Sequence, residues 1–330
     1  KISPKGLLWR PAEQLGAAWI SPTTDGGNMR IIDENTITDA ALEQMTSTPN
    51  RRLKEIMASL VRHLHGFARE VDLTPEEWLQ AIKFLTAVGQ KCTEHRQEFI
   101  LLSDTLGLSA LVNALHDKRG TESATKSSLL GPFYRHDAPM MKLGDSIISK
   151  SKGTEIVFYG QVVDTNGKGI PNALVQIWEP DETGNYDLQL HDPSELDLRG
   201  CFHCDSEGRY YFRGLCPTGY MIPMDGPVGD MIRAQKRHGY RPAHIHFVIG
   251  APGYRELVTA LYINGDPHLE SDTVFGVSQS LVVSVNKNDP KSPLPHLASL
   301  RYDFKLAATK DQTSGRVGAD PSQIIGKAAH

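Results

Sequence analysis

Apolar residues recur every three or four positions through roughly residues 36 to 117, the spacing that places them on one face of an α-helix. The run Thr-Pro-Glu-Glu that starts at Thr74 offers an N-cap, a proline at the first helical position and a reciprocal glutamate, so another helix is expected there. Two more helices are predicted over residues 94–103 and 105–116. The clearest apolar stripe consists of Leu53, Ile56, Met57, Leu60, Val61, Leu64, Phe67, Ala68 and Val71.

From about residue 155 the apolar positions alternate instead, which is typical of β-strands with one buried face. Many short strands separated by Gly- and Pro-containing turns favour an antiparallel β-sandwich. The sequence therefore predicts an α+β protein, with a helical domain over residues 1–125 and a β-sandwich domain over 126–330 that ends in a polar tail. The predicted strands cover residues 156–163, 173–178, 244–249, 257–263, 280–285 and 300–306, with a hairpin of 201–205 and 209–213.

Composition narrows the class of protein. Of 330 residues, 39% are hydrophobic and 22% charged, and the formal net charge is −4, whereas a nucleic-acid-binding protein would carry a basic domain. No run approaches the ~20 apolar residues of a membrane-spanning helix, and the first residues lack the hydrophobic core of a signal peptide. Four cysteines are too few for a disulfide scaffold in a chain of this size, so a reducing, cytoplasmic location is expected.

Residues 241–247, Arg-Pro-Ala-His-Ile-His-Phe, are the most informative short stretch. Because side chains alternate across a strand, His244 and His246 are predicted to share one face, while the apolar residues beside them occupy the other. Two neutral imidazoles on one strand make half of a metal site. The alternative is two histidines on the polar face of an ordinary strand, and the pair alone does not decide between the two.

Two tyrosines in glycine-containing loops are candidates for the other half of that site. Tyr186 lies in Gly-Asn-Tyr-Asp and Tyr220 in Pro-Thr-Gly-Tyr-Met. Loop positions can aim a side chain at a site, although a surface or packing role is the ordinary alternative for a loop tyrosine. Two phenolates with two imidazoles form a hard, anionic ligand set that favours Fe(III) over Fe(II) or zinc. With one hydroxide the charges sum to zero, which lowers the cost of burying the site.

Several motifs, taken in order, resemble those of the intradiol catechol dioxygenase family. Each is weak alone, but together they run in family order over most of residues 94–285 and are specific. The helical half resembles that of the catechol and hydroxyquinol branches, so the resemblance implies a homodimer formed through it and a possible bound lipid along it. The matching stretches are residues 160–164, 184–187, 199–202, 208–210, 217–220, 237–238, 241–247 and 265–266.

The resemblance implies a role for each residue of the site. It makes Tyr186, Tyr220, His244 and His246 the ligands of one Fe(III) per subunit, with Tyr220 and His246 axial and a solvent hydroxide as fifth ligand. Arg241 would lie over the substrate ring, where its permanent charge stabilises negative charge that builds up as O2 attacks. A catecholic substrate would displace the hydroxide and the Tyr220 phenolate, which take up its two protons. The ring would then open between the two hydroxylated carbons.

Substrate choice is expected to depend on the pocket walls. Leu130 stands before Gly131 and Pro132, where catechol-cleaving relatives usually carry Glu and hydroxyquinol-cleaving relatives an apolar residue. Asp104, one helical turn from Leu101, can accept a hydrogen bond from an extra ring hydroxyl, or else cap the helix predicted to follow it. The resemblance thus implies hydroxyquinol as substrate and 3-hydroxy-cis,cis-muconate or maleylacetate as product. The predicted substrate-binding residues are Leu101, Asp104, Leu129, Leu130, Gly131, Pro132, Phe133, Ile222, Pro223, Arg241 and Val274.

Three other functions stay open from the sequence. The same chemistry on catechol would give cis,cis-muconate, although Ala260 stands where catechol-type members commonly carry Gln. A zinc hydrolase built on His244 and His246 would be colourless, whereas a tyrosinate–Fe(III) site is red. A non-enzymatic β-sandwich binding module would leave Tyr186 and Tyr220 as ordinary aromatic residues.

Overall fold

The computed structural model describes residues 32–93, 96–119, 123–189 and 195–309. The polar tail predicted for the last ~20 residues lies outside these ranges, as do the first two residues of the helix predicted over 94–103. The chain divides into two compact units, one up to Trp78 and the other from Leu79 onward. The domain boundary between residues 125 and 126 stays a prediction.

The helices form where the apolar periodicity predicts them. The long stripe becomes a helix whose N-cap, Asn50, accepts a hydrogen bond from the Leu53 amide. At the next helix the predicted capping box is confirmed, because the Thr74 amide donates to Glu77 Oε2 at 3.0 Å and the Glu77 amide donates to Thr74 Oγ1 at 3.3 Å. The described helices are α1 (Ile37–Glu43), α2 (Arg51–Glu70), α3 (Pro75–Lys91), α4 (Glu98–Thr105), α5 (Leu108–Lys118) and α6 (Pro227–Ala234), the last of which the periodicity did not predict.

A glycine in the left-handed conformation separates α4 from α5. Gly107 has φ of 75° and is the N-cap of α5, while Asp104 lies within the last turn of α4. The interpretation of Asp104 as a helix cap is therefore wrong, and its side chain is available for another role. Among the described residues no single helix is long and apolar enough to cross a membrane; α4 and α5 meet that test only as a pair bent by 72°.

The second half of the chain is rich in strands, as predicted. Residues 280–285 differ from the prediction, because they form a short 3-10 helix, Gln279–Leu281, and only two residues of strand. The described strands are β1 (Met140–Met141), β2 (Glu155–Asp164), β3 (Leu174–Trp178), β4 (Arg199–His203), β5 (Arg209–Leu215), β6 (Tyr220–Met221), β7 (Tyr240–Arg241), β8 (His244–Gly250), β9 (Leu257–Ile263), β10 (Val282–Val283), β11 (Ser299–Arg301) and β12 (Phe304–Leu306).

Two sheets form the sandwich, and they are mixed rather than purely antiparallel as predicted. The larger has the strand order β1-β4-β3-β8-β9-β10, and the smaller joins β2 to β5, β11 and β12. The long strands pair antiparallel, but the short strands β1, β10, β11 and β12 pair parallel with their neighbours. Parallel pairing needs a long connection, and each of these short strands reaches its neighbour from a distant part of the chain.

The predicted hairpin of residues 201–205 and 209–213 is wrong. Its turn exists, since Asp205 Oδ1 accepts hydrogen bonds from the amides of Glu207 and Arg209 at 2.9 and 2.8 Å. The flanking strands nevertheless enter different sheets: β4 pairs with β3, and β5 pairs with β2. Phe202 on β4 and Phe212 on β5 instead stack across the core, with ring centroids 5.3 Å apart. This arrangement buries both rings between the two sheets.

The strand predicted over residues 300–306 is interrupted at its centre. The Tyr302 amide donates to the Tyr159 carbonyl at 3.0 Å, and Asp303 Oδ1 accepts from the Gln161 amide at 3.1 Å, so β11 and β12 pair with successive parts of β2. Gly160 makes the close approach possible, because a Cβ at that position would lie 1.7 Å from the Tyr302 carbonyl oxygen.

A substitution at Phe212 tests how much the core of the sandwich contributes to the free energy of unfolding. It is fully buried (0% exposed) and contacts the rings of Phe158, Phe202 and Phe247. We expect Phe212→Ala to lower the free energy of unfolding by about 3–5 kcal/mol, because it removes apolar contacts and leaves a cavity. Urea unfolding measures the loss, with Phe99→Ala as the control, since Phe99 is 49% exposed. Equal losses in the two variants would contradict this account of the core.

Candidate metal centre

Strand β8 presents two imidazoles on one face. The predicted alternation is confirmed, because Ile245 and Phe247 belong to the main core cluster while the rings of His244 and His246 lie together away from it. Their Nε2 atoms are 3.1 Å apart, and both residues are at most 1% exposed. Two buried imidazoles with converging nitrogens are not the polar face of a surface strand.

The two loop tyrosines are also buried. Tyr186 directly precedes the 3-10 helix Asp187–Gln189, and its amide donates to Gln189 Oε1 at 2.9 Å. Tyr220 begins β6, and the two phenol oxygens are 3.4 Å apart. Gly184, with φ of 86°, allows the two segments to meet, because a Cβ there would lie 2.4 Å from Tyr220 Cβ. Neither tyrosine is a surface aromatic residue.

The four side chains converge on one buried region. The Tyr220 ring lies 5.4 Å from the His244 ring, and the Tyr186 ring lies 6.2 Å from the His246 ring, measured between centroids. The part of the chain that the structure describes holds no group of three or more His, Cys, Asp or Glu residues suited to a metal ion. Tyr186 and Tyr220 are the side chains that bring phenol oxygens to the histidine pair.

The protonation chemistry of these groups fits a cation. His244 Nδ1 donates to the Pro242 carbonyl at 2.6 Å, which leaves the Nε2 lone pair facing the site. Burial, and next the charge of Arg241, hold the pKa values of His244 and His246 well below the usual range, so both imidazoles are neutral. Burial also raises the pKa of Tyr186 well above its usual value, and the nearby Tyr220 raises it further. A bound metal cation would offset that penalty and permit ionisation.

Arg241 lies beside the four side chains and is 3% exposed. One terminal nitrogen, NH1, lies 3.0 Å from His244 Nε2 and 3.5 Å from Tyr220 Oη. Burial alone would lower the pKa of Arg241, but Asp272 and the surrounding tyrosines raise it well above its usual value. The guanidinium is therefore a permanent positive charge at the edge of the site, as expected from its position three residues before His244.

Two residues that contact Arg241 were missed by sequence reasoning. Asp272 Oδ1 accepts from Arg241 Nε at 3.3 Å, and Tyr262 Oη accepts from Arg241 NH2 at 3.4 Å. Tyr262 is the partner of His244 in the ladder between β8 and β9, so the register of that pair would have indicated it. Asp272 lies in an irregular segment and carries no such signal.

A buried ion pair beside Tyr186 was also missed. Arg199 donates to both carboxylate oxygens of Asp187, the residue after Tyr186, through Nε at 2.6 Å and through NH2. The same guanidinium donates to the Phe133 carbonyl at 3.3 Å. Phe133 in turn stacks on Tyr186, with ring centroids 4.6 Å apart. The ion pair therefore connects the backbone segments that carry both members of this stack.

Six of the predicted substrate-binding residues lie in two buried clusters, one of which contains Tyr186 and Tyr220. Leu101, Leu129, Ile222 and Val274 belong to one buried cluster. Leu130 and Phe133 pack in a second cluster with Tyr186, Tyr220 and Trp178. Gly131 has φ of 72°, and a Cβ there would lie 3.6 Å from the His246 ring. A cleft of about 490 Å³ is lined by Thr93, Arg96, Gln97, Glu98, Leu101, Pro132, Phe133, Asn185, Leu188, Gln189, Met221, Pro223 and Asp225.

Asp104 is a buried carboxyl group, 4% exposed. Burial raises its pKa to about 6, against smaller opposing effects of a hydrogen bond from Ser109 and the charge of Arg241. The carboxyl group therefore lies within the electrostatic reach of Arg241. A buried acceptor at this position suits a polar group on a ligand.

Comparisons with family profiles, with related sequences and with solved structures agree with one another. Residues 129–308 match the family profile described as "Dioxygenase", and residues 50–124 match "Catechol dioxygenase N terminus". The chain is 45% identical to 6-chlorohydroxyquinol 1,2-dioxygenase of Cupriavidus pinatubonensis over 77% of this chain and 92% of that protein. It is 44% identical to hydroxyquinol 1,2-dioxygenase of Corynebacterium glutamicum over 84% of this chain and 94% of that protein. The solved structure of hydroxyquinol 1,2-dioxygenase from Pseudomonas putida DLL-E4 aligns with a TM-score of 0.75 at 43% identity, covering 83% of this chain and 98% of that one.

The raised pKa of Asp104 predicts a pH-dependent stability. The folded chain holds the Asp104 proton more tightly than the unfolded chain, whose pKa is near 3.8, so this contribution is complete below about pH 4 and is lost as the pH rises through about 6. Asp104→Asn lacks it. We therefore expect the free energy of unfolding of the variant, relative to the unmodified protein, to rise by up to about 3 kcal/mol between pH 4 and pH 7.

Urea unfolding of both proteins in the same metal state measures this difference. Asp230→Asn serves as the control, because the Asp230 side chain is 76% exposed. A difference between Asp104→Asn and the unmodified protein that stays constant with pH would show that the carboxyl group is not perturbed in this way.

Proposed function

This chain belongs to the intradiol ring-cleavage dioxygenase family, and we propose that it uses O2 to open hydroxyquinol, 1,2,4-trihydroxybenzene, between its two adjacent hydroxylated carbons. The product would be 3-hydroxy-cis,cis-muconate, a tautomer of maleylacetate. The observation that carries the proposal is the convergence of two buried tyrosines and two buried neutral histidines beside Arg241. The names of the relatives compared above support the same reaction.

Members of this family generally depend on non-haem iron, and the residues of the site fit one Fe(III) per subunit. Tyr186, Tyr220, His244 and His246 would hold it, because two phenolates and two neutral imidazoles suit a hard trivalent ion. When bound, such an ion makes a coordinated diol ring reactive towards O2. The two phenolates, with one further anion, would cancel its charge in a region that excludes water.

Tyr220 is the residue proposed to move a proton. Its Oη lies 3.4 Å from Tyr186 Oη and 3.5 Å from Arg241 NH1, so it borders both the ligand set and the guanidinium. A phenolate at this oxygen can take a proton from an incoming ring hydroxyl, because both groups are phenols. Arg241 then remains positively charged next to the oxygens on which negative charge gathers, and stabilises that charge without giving up a proton.

The proposed pocket distinguishes hydroxyquinol from catechol by its third hydroxyl. Phe133 and Leu130 provide apolar surface beside the tyrosines, where the aromatic ring would lie. Asp104, with a pKa of about 6, is mostly ionised at neutral pH and can accept a hydrogen bond from the extra hydroxyl. Catechol cannot donate that bond, and would leave the buried carboxylate with only its hydrogen bond from Ser109. Asp104 therefore favours hydroxyquinol over the catechol alternative.

The substrate and the metal can be tested together on the purified protein. We expect iron in a metal analysis, a visible tyrosinate-to-Fe(III) absorption band that shifts on anaerobic addition of hydroxyquinol, and a higher kcat/KM for hydroxyquinol than for catechol. Asp104→Ala should lower kcat/KM for hydroxyquinol by about 10–100-fold, because a charge-assisted hydrogen bond is lost. Its kcat/KM for catechol should change much less.

Each alternative function has its own outcome in this experiment. Zinc in a colourless protein would point to a hydrolase. Equal or faster turnover of catechol would overturn the choice of substrate. Tyr220→Phe distinguishes the binding module, since absorption and turnover that survive this change unaltered would show that Tyr220 is not a ligand.

We also propose that the protein is a cytoplasmic homodimer. Its four cysteines are all free thiols, as is usual for a reducing compartment. The apolar stripe of α2 is exposed along a helix about 30 Å long, and an exposed apolar surface of this kind marks an interaction site. A second copy of the chain is the proposed occupant, with a bound lipid as the alternative. The exposed apolar residues of α2 and of its C-cap are Leu53, Ile56, Met57, Leu60, Leu64, Phe67 and Val71.

Charged substitutions on α2 test the dimer. We expect the variant with both Leu60→Asp and Leu64→Asp to be a monomer by light scattering coupled to gel filtration, because a charge buried in an apolar interface is costly. Arg62→Asp is the control, since it changes charge on the same helix without altering the apolar stripe. An unmodified protein that is monomeric, or that carries a stoichiometric lipid by mass spectrometry without dimerising, would overturn the proposal.

A further inference from the structure

We propose that Asp272, Tyr262 and Ser128 are positioning residues that hold the guanidinium of Arg241 in a closed ring of hydrogen bonds. The proposal rests on the catalytic role given to Arg241 in the proposed function. None of the three was indicated by the motifs in the sequence. All three are buried, and none belongs to the proposed iron ligands.

The ring can be followed atom by atom from Arg241. Its NH2 donates to Tyr262 Oη at 3.4 Å, and Tyr262 Oη lies 2.8 Å from Ser128 Oγ. Ser128 Oγ donates to the Gly276 carbonyl at 3.0 Å, and the Gly276 amide donates to Asp272 Oδ2 at 2.9 Å. Asp272 Oδ1 accepts from Arg241 Nε at 3.3 Å, which closes the ring.

The direction of donation in this ring is determined by its chemistry. Arg241 can only donate, so Tyr262 Oη accepts from it. The Gly276 carbonyl can only accept, so it takes the single hydrogen of Ser128, and the Tyr262 hydroxyl must therefore donate to Ser128 Oγ. Ser128 then gives its hydrogen to the Gly276 carbonyl, and Asp272 accepts at both oxygens. Each hydroxyl is thus used once as donor and once as acceptor, an arrangement in which neighbouring hydrogen bonds strengthen one another in a buried region.

The ring determines which nitrogen of Arg241 faces the reaction. Nε and NH2 are occupied by Asp272 and Tyr262, which leaves NH1 directed at Tyr220 Oη and His244 Nε2. Asp272 also provides the negative charge that a buried guanidinium needs, with both side chains at most 4% exposed. Without these partners the guanidinium would keep its charge but lose its orientation.

The ring also connects Arg241 to two walls of the proposed substrate pocket. Ser128 directly precedes Leu129, and Val274 lies between Asp272 and Gly276. Space for a side chain at Gly276 is absent, because a Cβ there would lie 2.6 Å from Tyr262 Oη and 3.2 Å from Arg241 NH2. The pocket walls and the charge that acts on the substrate are therefore held by one framework.

Kinetics of single and double variants test the proposal. We expect Asp272→Asn to lower kcat for hydroxyquinol by about 10–100-fold through misplacement of Arg241, and Tyr262→Phe by about 3–10-fold. Iron content and the tyrosinate absorption band should stay as in the unmodified protein, because no ligand is changed. Combined with Arg241→Lys, either change should add little further loss, since the residue that it positions is already altered.

The control is Tyr210→Phe, which removes another buried tyrosine hydroxyl, one that donates to the Tyr302 carbonyl at 2.8 Å within the main core. Its kcat should stay within about twofold of the unmodified value, as is usual for a site away from the chemistry. If Asp272→Asn does not fold, Tyr262→Phe and Ser128→Ala give the same comparison.

The outcomes separate this proposal from the function on which it rests. If the unmodified protein does not open hydroxyquinol, or Arg241→Lys is fully active, the proposed function is wrong and the ring loses its role with it. If Arg241→Lys is impaired while Asp272→Asn and Tyr262→Phe keep full kcat, the ring does not position Arg241. Losses that multiply fully with that of Arg241→Lys, or that accompany loss of the absorption band, would likewise overturn it.

Discussion

Strand β8 has one face in the sandwich core and the other in the buried site, and the rest of the site depends on this arrangement. One face places Ile245 and Phe247 in the sandwich core, and the other places two imidazoles in the buried site. A shift of one residue would exchange the two faces completely, so the register with its neighbours is strongly specified. β8 pairs along its length with β3 and β9, which places Trp178 and Ala260 directly beside His246. Trp178 stacks flat on the His246 ring, with an interplanar angle of 2°.

Charge is the second constraint, because the site is buried. Arg241 and Asp272 compensate each other, as do Arg199 and Asp187 behind Tyr186. Burial keeps the imidazoles neutral and opposes ionisation of Tyr186. Without a bound metal ion, the net charge of this buried region is therefore close to zero. A trivalent ion with two phenolates would fit this balance without requiring a further charged side chain. The same reasoning explains why each buried cation in this region has a carboxylate partner.

Sequence reasoning predicted what depends on short-range pattern and failed where distant segments meet. The alternation around His244 and the capping box at Thr74 follow from neighbouring residues, and both are confirmed. The turn of the hairpin predicted after β4 is present in the structure. The strands on either side of it, β4 and β5, nevertheless pair within different sheets and pack against each other across the core. Asp104 was ambiguous because only Gly107 determines where the next helix begins. Asp272 could not be found at all, since its role exists only once four separate segments come together.

The proposed iron ligands and the residue proposed to select the substrate lie in different parts of the chain, which affects how the enzyme could change its substrate. The proposed iron ligands come from β6, β8 and the segment before residue 187, all within the strand-rich half of the chain. Asp104, proposed to bind the third hydroxyl, comes from α4 instead, and its position depends on the helix end at Gly107. Substitutions on α4 can therefore alter which aromatic substrate is bound while the proposed iron ligands keep their positions. Residues 128–133 are an exception to this separation. Ser128 belongs to the ring of hydrogen bonds that holds the Arg241 guanidinium, and Phe133 stacks on Tyr186. There a change of specificity cannot be separated from a change in the reaction itself.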